Sequence, residues 1–190
     1  MRYNHVSRSS ETGKSWDMNY GEIKDCDVAN GVGVRISLFV SGCTNRCPGC
    51  FQPQTWDFNY GQEFTRKTED KIIEMMRPGY INGLTVLGGE PFEPENQQVL
   101  VPFLRRVKAS YPDKTIWAFT GFVLEDLMKE GARCHTDVTE EMLGMLDVLI
   151  DGRFEQELKN IQLRFRGSEN QRLIDMNKTR EAGKIVLWDE

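Results

Sequence analysis

From Gly31 onward, short β-branched runs alternate with stretches of helical period, and this rhythm constrains the fold more than any other feature. Arg35–Val40 reads as a strand and Lys67–Met76 as a helix with Ile72, Ile73 and Met76 on one face. Leu84–Leu87 reads as a strand, Gln97–Ser110 as a helix and Thr115–Phe119 as a strand. Helical pieces at Leu124–Lys129 and Glu140–Leu146 lead to a short apolar strand at Val148–Ile150, and the tail ends in a strand-like IVLW. Such alternation predicts an α/β fold in which a parallel sheet is covered by helices.

Residues 1–17 are polar and without period, so they are expected to form a disordered extension ahead of a single domain spanning 18–190. No secretory signal is evident, and no run approaches the ~20 apolar residues of a membrane helix. A cytoplasmic, reducing location is the expectation. The net charge of -5 is spread along the chain, which argues against nucleic acid as a partner.

Five cysteines without a signal make a poor disulfide framework, and Cys43, Cys47 and Cys50 fall within eight residues, which looks like metal ligation. Thiolates are the ligands of iron–sulfur clusters, and three of them on a four-iron cube leave one iron open for another ligand. A zinc site or free thiols remain the alternative from spacing alone. Zinc structural sites want four ligands, and although Cys26 is available, no second pair exists. Cys26 and Cys134 read as free thiols.

In parallel α/β folds ligands sit at the carboxyl ends of the strands. The cysteine motif follows the first strand, Gly88-Gly89-Glu90-Pro91 the second, Thr120-Gly121 the third and Asp151-Gly152-Arg153 the fourth. All are expected on one rim. The two glycines let a ligand approach the backbone without a Cβ in the way, and Glu90 offers an acceptor for a ligand ammonium. Taken alone, GGEP is also an ordinary strand-to-helix loop. Beside the cysteine motif it becomes a candidate ligand site.

The cysteine spacing and GGEP together resemble the radical S-adenosylmethionine superfamily. The resemblance implies a partial (open) βα barrel, since 190 residues do not supply eight units of about 30. It implies a 4Fe-4S cluster on Cys43, Cys47 and Cys50, with Gly88, Gly89 and Glu90 at the methionine end of S-adenosylmethionine. Thr120, Gly121, Asp151 and Arg153 become candidates for ribose or carboxylate contacts, although Asp151 reads equally well as a turn or helix cap. The implied chemistry is reductive cleavage of the cofactor to a 5′-deoxyadenosyl radical.

From about Met18 onward the chain is similar, within that superfamily, to the activators of anaerobic (class III) ribonucleotide reductase. The segments carrying this are DVANGVGVRISLFVSGC, CPGCF, TWDFNYGQ, LGGEPFEPEN, IWAFTGF, VLIDGRF and LRFRGSENQRLID. Gly49 stands where the superfamily often has an aromatic, and Gly31-Val32-Gly33 replaces a usual Gly-Pro-Gly. The implied partners are the reductase's large subunit as protein substrate and a flavodoxin-like one-electron donor. An activator of another glycyl-radical enzyme, such as pyruvate formate-lyase, is the nearest rival, and a zinc-binding module is the rival from another class.

Weaker signals remain two-sided. Arg164 and Arg166 on a strand would share a face and, with Arg172, form a basic patch for the partner or an anionic cofactor group; a solvated, charge-paired edge is the alternative. Trp56 and Tyr60 either roof the cofactor or are buried as ordinary aromatics.

Overall fold

A computed structural model of the protein describes residues 16–189. Residues 1–15, most of the expected extension, lie outside the described residues, while Trp16 already packs against the core. In chain order the elements are β1 (Asn19–Asp27), β2 (Val34–Val40), β3 (Gln62–Glu63), α1 (Arg66–Met75), β4 (Ile81–Gly88) and α2 (Pro94–Ser110). There follow β5 (Thr115–Phe119), α3 (Leu124–Leu127), α4 (Thr139–Gly144), β6 (Val148–Asp151), β7 (Arg172–Asp175) and α5 (Met176–Ala182).

One sheet of seven strands runs in the order β3-β1-β2-β4-β5-β6-β7. β2, β4, β5 and β6 are mutually parallel and adjacent in sequence order. Right-handed crossovers that never reverse direction put their helices on the same face, so the sheet curls as an open part of a βα barrel. No described helix is long and apolar enough to cross a membrane.

Both faces of the central strands are buried, as the sequence pattern requires of a parallel sheet. On β2, Ile36, Leu38 and Val40 join the main core cluster together with Val99, Phe103 and Leu104 of α2. The alternate residues Arg35, Ser37 and Phe39 are also buried. Trp117, Val148, Ile150 and Leu173 form a second cluster with Phe165 and Trp188.

The strands expected from sequence are present, but the sheet has flanks that periodicity did not suggest. β1 pairs antiparallel with β2, β3 with β1, and β7 with β6. β1 is largely solvent-facing, with Glu22, Lys24, Asp25 and Cys26 exposed and two register shifts, so it lacks apolar alternation. The terminal IVLW pairs at a single bridge, Ile174 with Leu187. Between them α5 starts on an Asp175 cap to Lys178 N and ends at Gly183 in the left-handed region.

Arg35 is a fully buried cation with no carboxylate among the described residues in hydrogen-bond contact. Its guanidinium donates to Thr85 Oγ1 (2.7 Å), Val32 O (3.3 Å), Thr115 Oγ1 (2.9 Å), Leu84 O (2.8 Å) and Thr115 O (3.0 Å). It also lies 5.2 Å from the Trp117 ring centre. Burial lowers its pKa to about 10, which leaves it charged at neutral pH. A lysine cannot reach these acceptors at once. Arg35→Lys should cost about 3 kcal/mol in urea unfolding; a loss below about 1 kcal/mol would show that the fork geometry is dispensable.

Candidate active site

The cysteine motif lies in the loop that follows β2, and its backbone is fixed from several sides. Ser41 N donates to Asn19 O at 2.8 Å, Gly42 N to Thr55 O at 2.8 Å and Glu90 N to Gly42 O at 2.8 Å. Asn96, at the start of α2, donates to Ser41 O (3.0 Å) and Glu90 O (2.9 Å). Glu93 accepts from Thr44 N at 2.7 Å and Thr44 Oγ1 at 2.6 Å, and its other oxygen pairs with Arg133 at 2.9 Å.

Glu90 ties three loops together. Its Oε1 accepts from Phe92 N (2.9 Å) and Thr120 Oγ1 (2.8 Å), and its Oε2 from Asn45 Nδ2 (2.9 Å) and Gly121 N (2.7 Å). The glycines ahead of it serve the same closeness. Gly88 has φ +108, a conformation that L side chains rarely adopt, and a Cβ on Gly89 would sit 2.6 Å from Gly42 O. What presses on Gly89 is therefore the cysteine loop's own backbone.

These loops enclose a cavity of about 450 Å³, within the range of cofactor sites. Cys43, Cys47, Cys50, Gly88, Gly89, Glu90, Thr120 and Gly121 all line it. Asp151 and Arg153 do not. The Asp151 carboxylate accepts from Leu124 N (2.8 Å) at the start of α3 and from Arg172 Nε (2.9 Å), while Arg153 donates to Asn45 O at 2.6 Å. Trp56 lines the cavity, whereas the Tyr60 ring packs over Gly21.

Among the described residues, no three histidine, cysteine, aspartate or glutamate side chains converge closely enough to hold a single metal ion. A mononuclear zinc draws its ligands to one point, but on a four-iron cube each thiolate meets its own corner. Three thiols lining one cavity are the donor set that a cube takes, one at each of three corners. Burial, with Glu90 adding to it, pushes the Cys43 thiol up to about 11, so bound iron is what would make it a thiolate.

Residues 29–174 match the family described as a 4Fe-4S single cluster domain. Three proteins bearing the name anaerobic ribonucleoside-triphosphate reductase-activating protein align over 156 residues. The one from Enterobacteria phage T4 is 41% identical, covering 82% of this chain and 93% of its own. That from Haemophilus influenzae is 44% identical (81% and 96%), and that from Escherichia coli K12 38% (81% and 96%). The chain belongs to the anaerobic ribonucleoside-triphosphate reductase-activating proteins.

A 4Fe-4S cluster and S-adenosylmethionine are thus the cofactors of this activating-protein family, as the motifs implied. Several residues that shape the activating-protein site escaped sequence reasoning. Glu93 and Asn96 sit just beyond GGEP, in the same FEPEN run, and the visible signal was an acid directly before the proline that opens α2. Arg164 and Arg166 share no strand face: their segment is a series of turns, and Arg172 is instead paired with Asp151 and Glu125. Of the two readings, the shared basic patch does not form, and Arg172 is charge-paired as the alternative had it.

Burial raises the Glu90 pKa from 4.5 to about 7 against the opposing pull of its donors. In the cluster-free protein an unfolded-state value near 4.5 means that the folded form holds the proton longer. The associated stability is complete below about pH 4.5 and is lost as pH rises through about 7, by about 3 kcal/mol. Urea midpoints at pH 5 and pH 8 check this, and Glu90→Gln should remove that part of the difference. An unchanged difference would contradict the assignment.

Proposed function

We propose that the protein generates a glycyl radical on an anaerobic ribonucleoside-triphosphate reductase, with Cys43, Cys47 and Cys50 holding the cluster. The observation that carries this is the sharing of one cavity by the cysteines, the GGE loop and Thr120-Gly121, in a chain about 40% identical to named activators of that reductase. When bound, the cluster and S-adenosylmethionine supply one-electron reductive cleavage and abstraction of a hydrogen atom from the partner's glycine.

The chain's own residues position, shield and admit. Glu90, Glu93 and Asn96 hold the cysteine loop against the ends of β2 and β4. Gly88, Gly89, Glu90, Thr120 and Gly121 form the floor on which the methionine and ribose parts would rest. Asp151 acts through Arg172, and Arg153 through Asn45, so both support the rim. Phe39, Trp56 and Phe119 make the walls apolar, which keeps water from the reacting carbon. Pro48 and Gly49 are exposed, leaving the cluster edge open to a flavodoxin-like donor in the cytoplasm.

The test is anaerobic reconstitution with iron and sulfide, followed by reduction and addition of S-adenosylmethionine. 5′-Deoxyadenosine should form, and a glycyl radical signal should appear only when the reductase is present. Cofactor cleavage without a reductase radical would refute the partner, and a full cluster without cleavage would refute the activity.

A further inference from the structure

Among the described residues, Arg166 is the one basic side chain lining the cavity. Its Nε is buried and has no hydrogen-bond partner, and no described carboxylate pairs with its guanidinium. The cavity's lone carboxylate, Glu90, is already committed to Phe92, Thr120, Asn45 and Gly121. Arg166 is half-buried, and a guanidinium nitrogen shut off from water without a partner favours an anion beside it.

The backbone is bent to present this group. Phe165 has φ 58, a genuine outlier for a bulky residue. Its ring is pinned edge-on by Trp117 at 5.4 Å and Trp188 at 6.3 Å. The bend separates Arg164, which is exposed with its guanidinium 4.7 Å from the Phe165 ring centre, from Arg166, which faces the cavity. Strain held in place by packing marks positions that serve a site. Gly167 then lies against Phe51, the residue after Cys50: a Cβ there would stand 3.2 Å from that ring. Arg166 therefore borders the cysteine loop.

We propose that Arg166 binds the carboxylate of the methionine part of S-adenosylmethionine, its planar fork matching the two oxygens. This rests on the cofactor reading above. The other anion within the cavity's compass is the cluster itself, and the two are separable.

Cluster-loaded wild type, R166K and R166Q are compared by anaerobic equilibrium dialysis against three ligands. These are S-adenosylmethionine, S-adenosylhomocysteine and 5′-methylthioadenosine, the last of which keeps the nucleoside and sulfur but has no amino-acid end. R166Q should weaken the first two by about tenfold to a hundredfold and leave the third unchanged, with R166K in between. Equal weakening of all three, or of none, overturns the proposal. So does an unchanged affinity accompanied by a shifted cluster potential, which would assign the cation to the cluster. A wild type that carries its cluster and binds none of the three overturns the cofactor reading as well; wild-type binding with an indifferent R166Q overturns the Arg166 role alone.

Discussion

Cys47→Ala should abolish cofactor cleavage and reduce iron from about four atoms per chain to a small fraction of that. Cys47 is nine-tenths buried, lines the cavity and accepts a hydrogen bond from Cys50 N at 3.1 Å, so it stands between the other two thiols on a constrained loop. Two remaining thiolates leave two irons of a cube unheld by protein. Cys26→Ala should keep a full iron complement, because Cys26 is exposed at the end of β1 and outside the cavity lining. Cys134→Ala should do likewise. Iron and sulfide analysis of the three variants decides the matter, with melting of the cluster-free forms as the folding control. Full iron in Cys47→Ala, or its loss in Cys26→Ala, would break the ligand assignment.

Glu90→Leu should destabilise the protein by about 4 kcal/mol or more. It strands the donors of Phe92 N, Gly121 N, Asn45 and Thr120 in a place where the carboxylate is 1% exposed. Each orphaned buried donor costs about 1–3 kcal/mol, against a total stability of about 5–15 kcal/mol. Glu90→Gln should lose less, because one side of the amide still accepts while its NH₂ opposes two donors. The Thr120 hydroxyl can rotate to accept; a backbone N–H cannot. Chemical unfolding at pH 8 measures both. A Glu90→Leu protein within about 1 kcal/mol of wild type would mean that the three loops are held together by other contacts.

The central strands were legible because a parallel sheet buried on both faces leaves continuous apolar runs such as Val148–Ile150, whereas the similar run IVLW at the tail pairs at a single bridge. The same logic hid β1, which is exposed along much of its length and takes its pairing from β2, so NYGEIKDCD reads as a polar loop. In β7 only Leu173 and Ile174 are buried, too short a run to stand out. At the site, the cysteine spacing was informative because few arrangements use three thiols so close together. The division of labour among the acids was not, since Glu90, Glu93 and Asp151 are told apart only by what they face. Glu93 holds Thr44, and Asp151 is satisfied by Arg172 and the start of α3. Arg164 and Arg166 differ through a single backbone angle at Phe165, which no spacing rule encodes.

The clamp on the cysteine loop also sets an order in time. Asn45 finds Glu90 across 45 residues of sequence, and Arg153 reaches Asn45 O across 108. At about 5–20 residues per second, a ribosome needs roughly 5–20 s to deliver that last contact after the thiols have emerged. During those seconds the cysteines are present without the floor that orders them, open to oxidation or to a stray metal ion. The cysteine loop is therefore fully held only once the chain through Arg153 has emerged and folded, and a nascent chain stalled before Glu90 should be a poor iron acceptor.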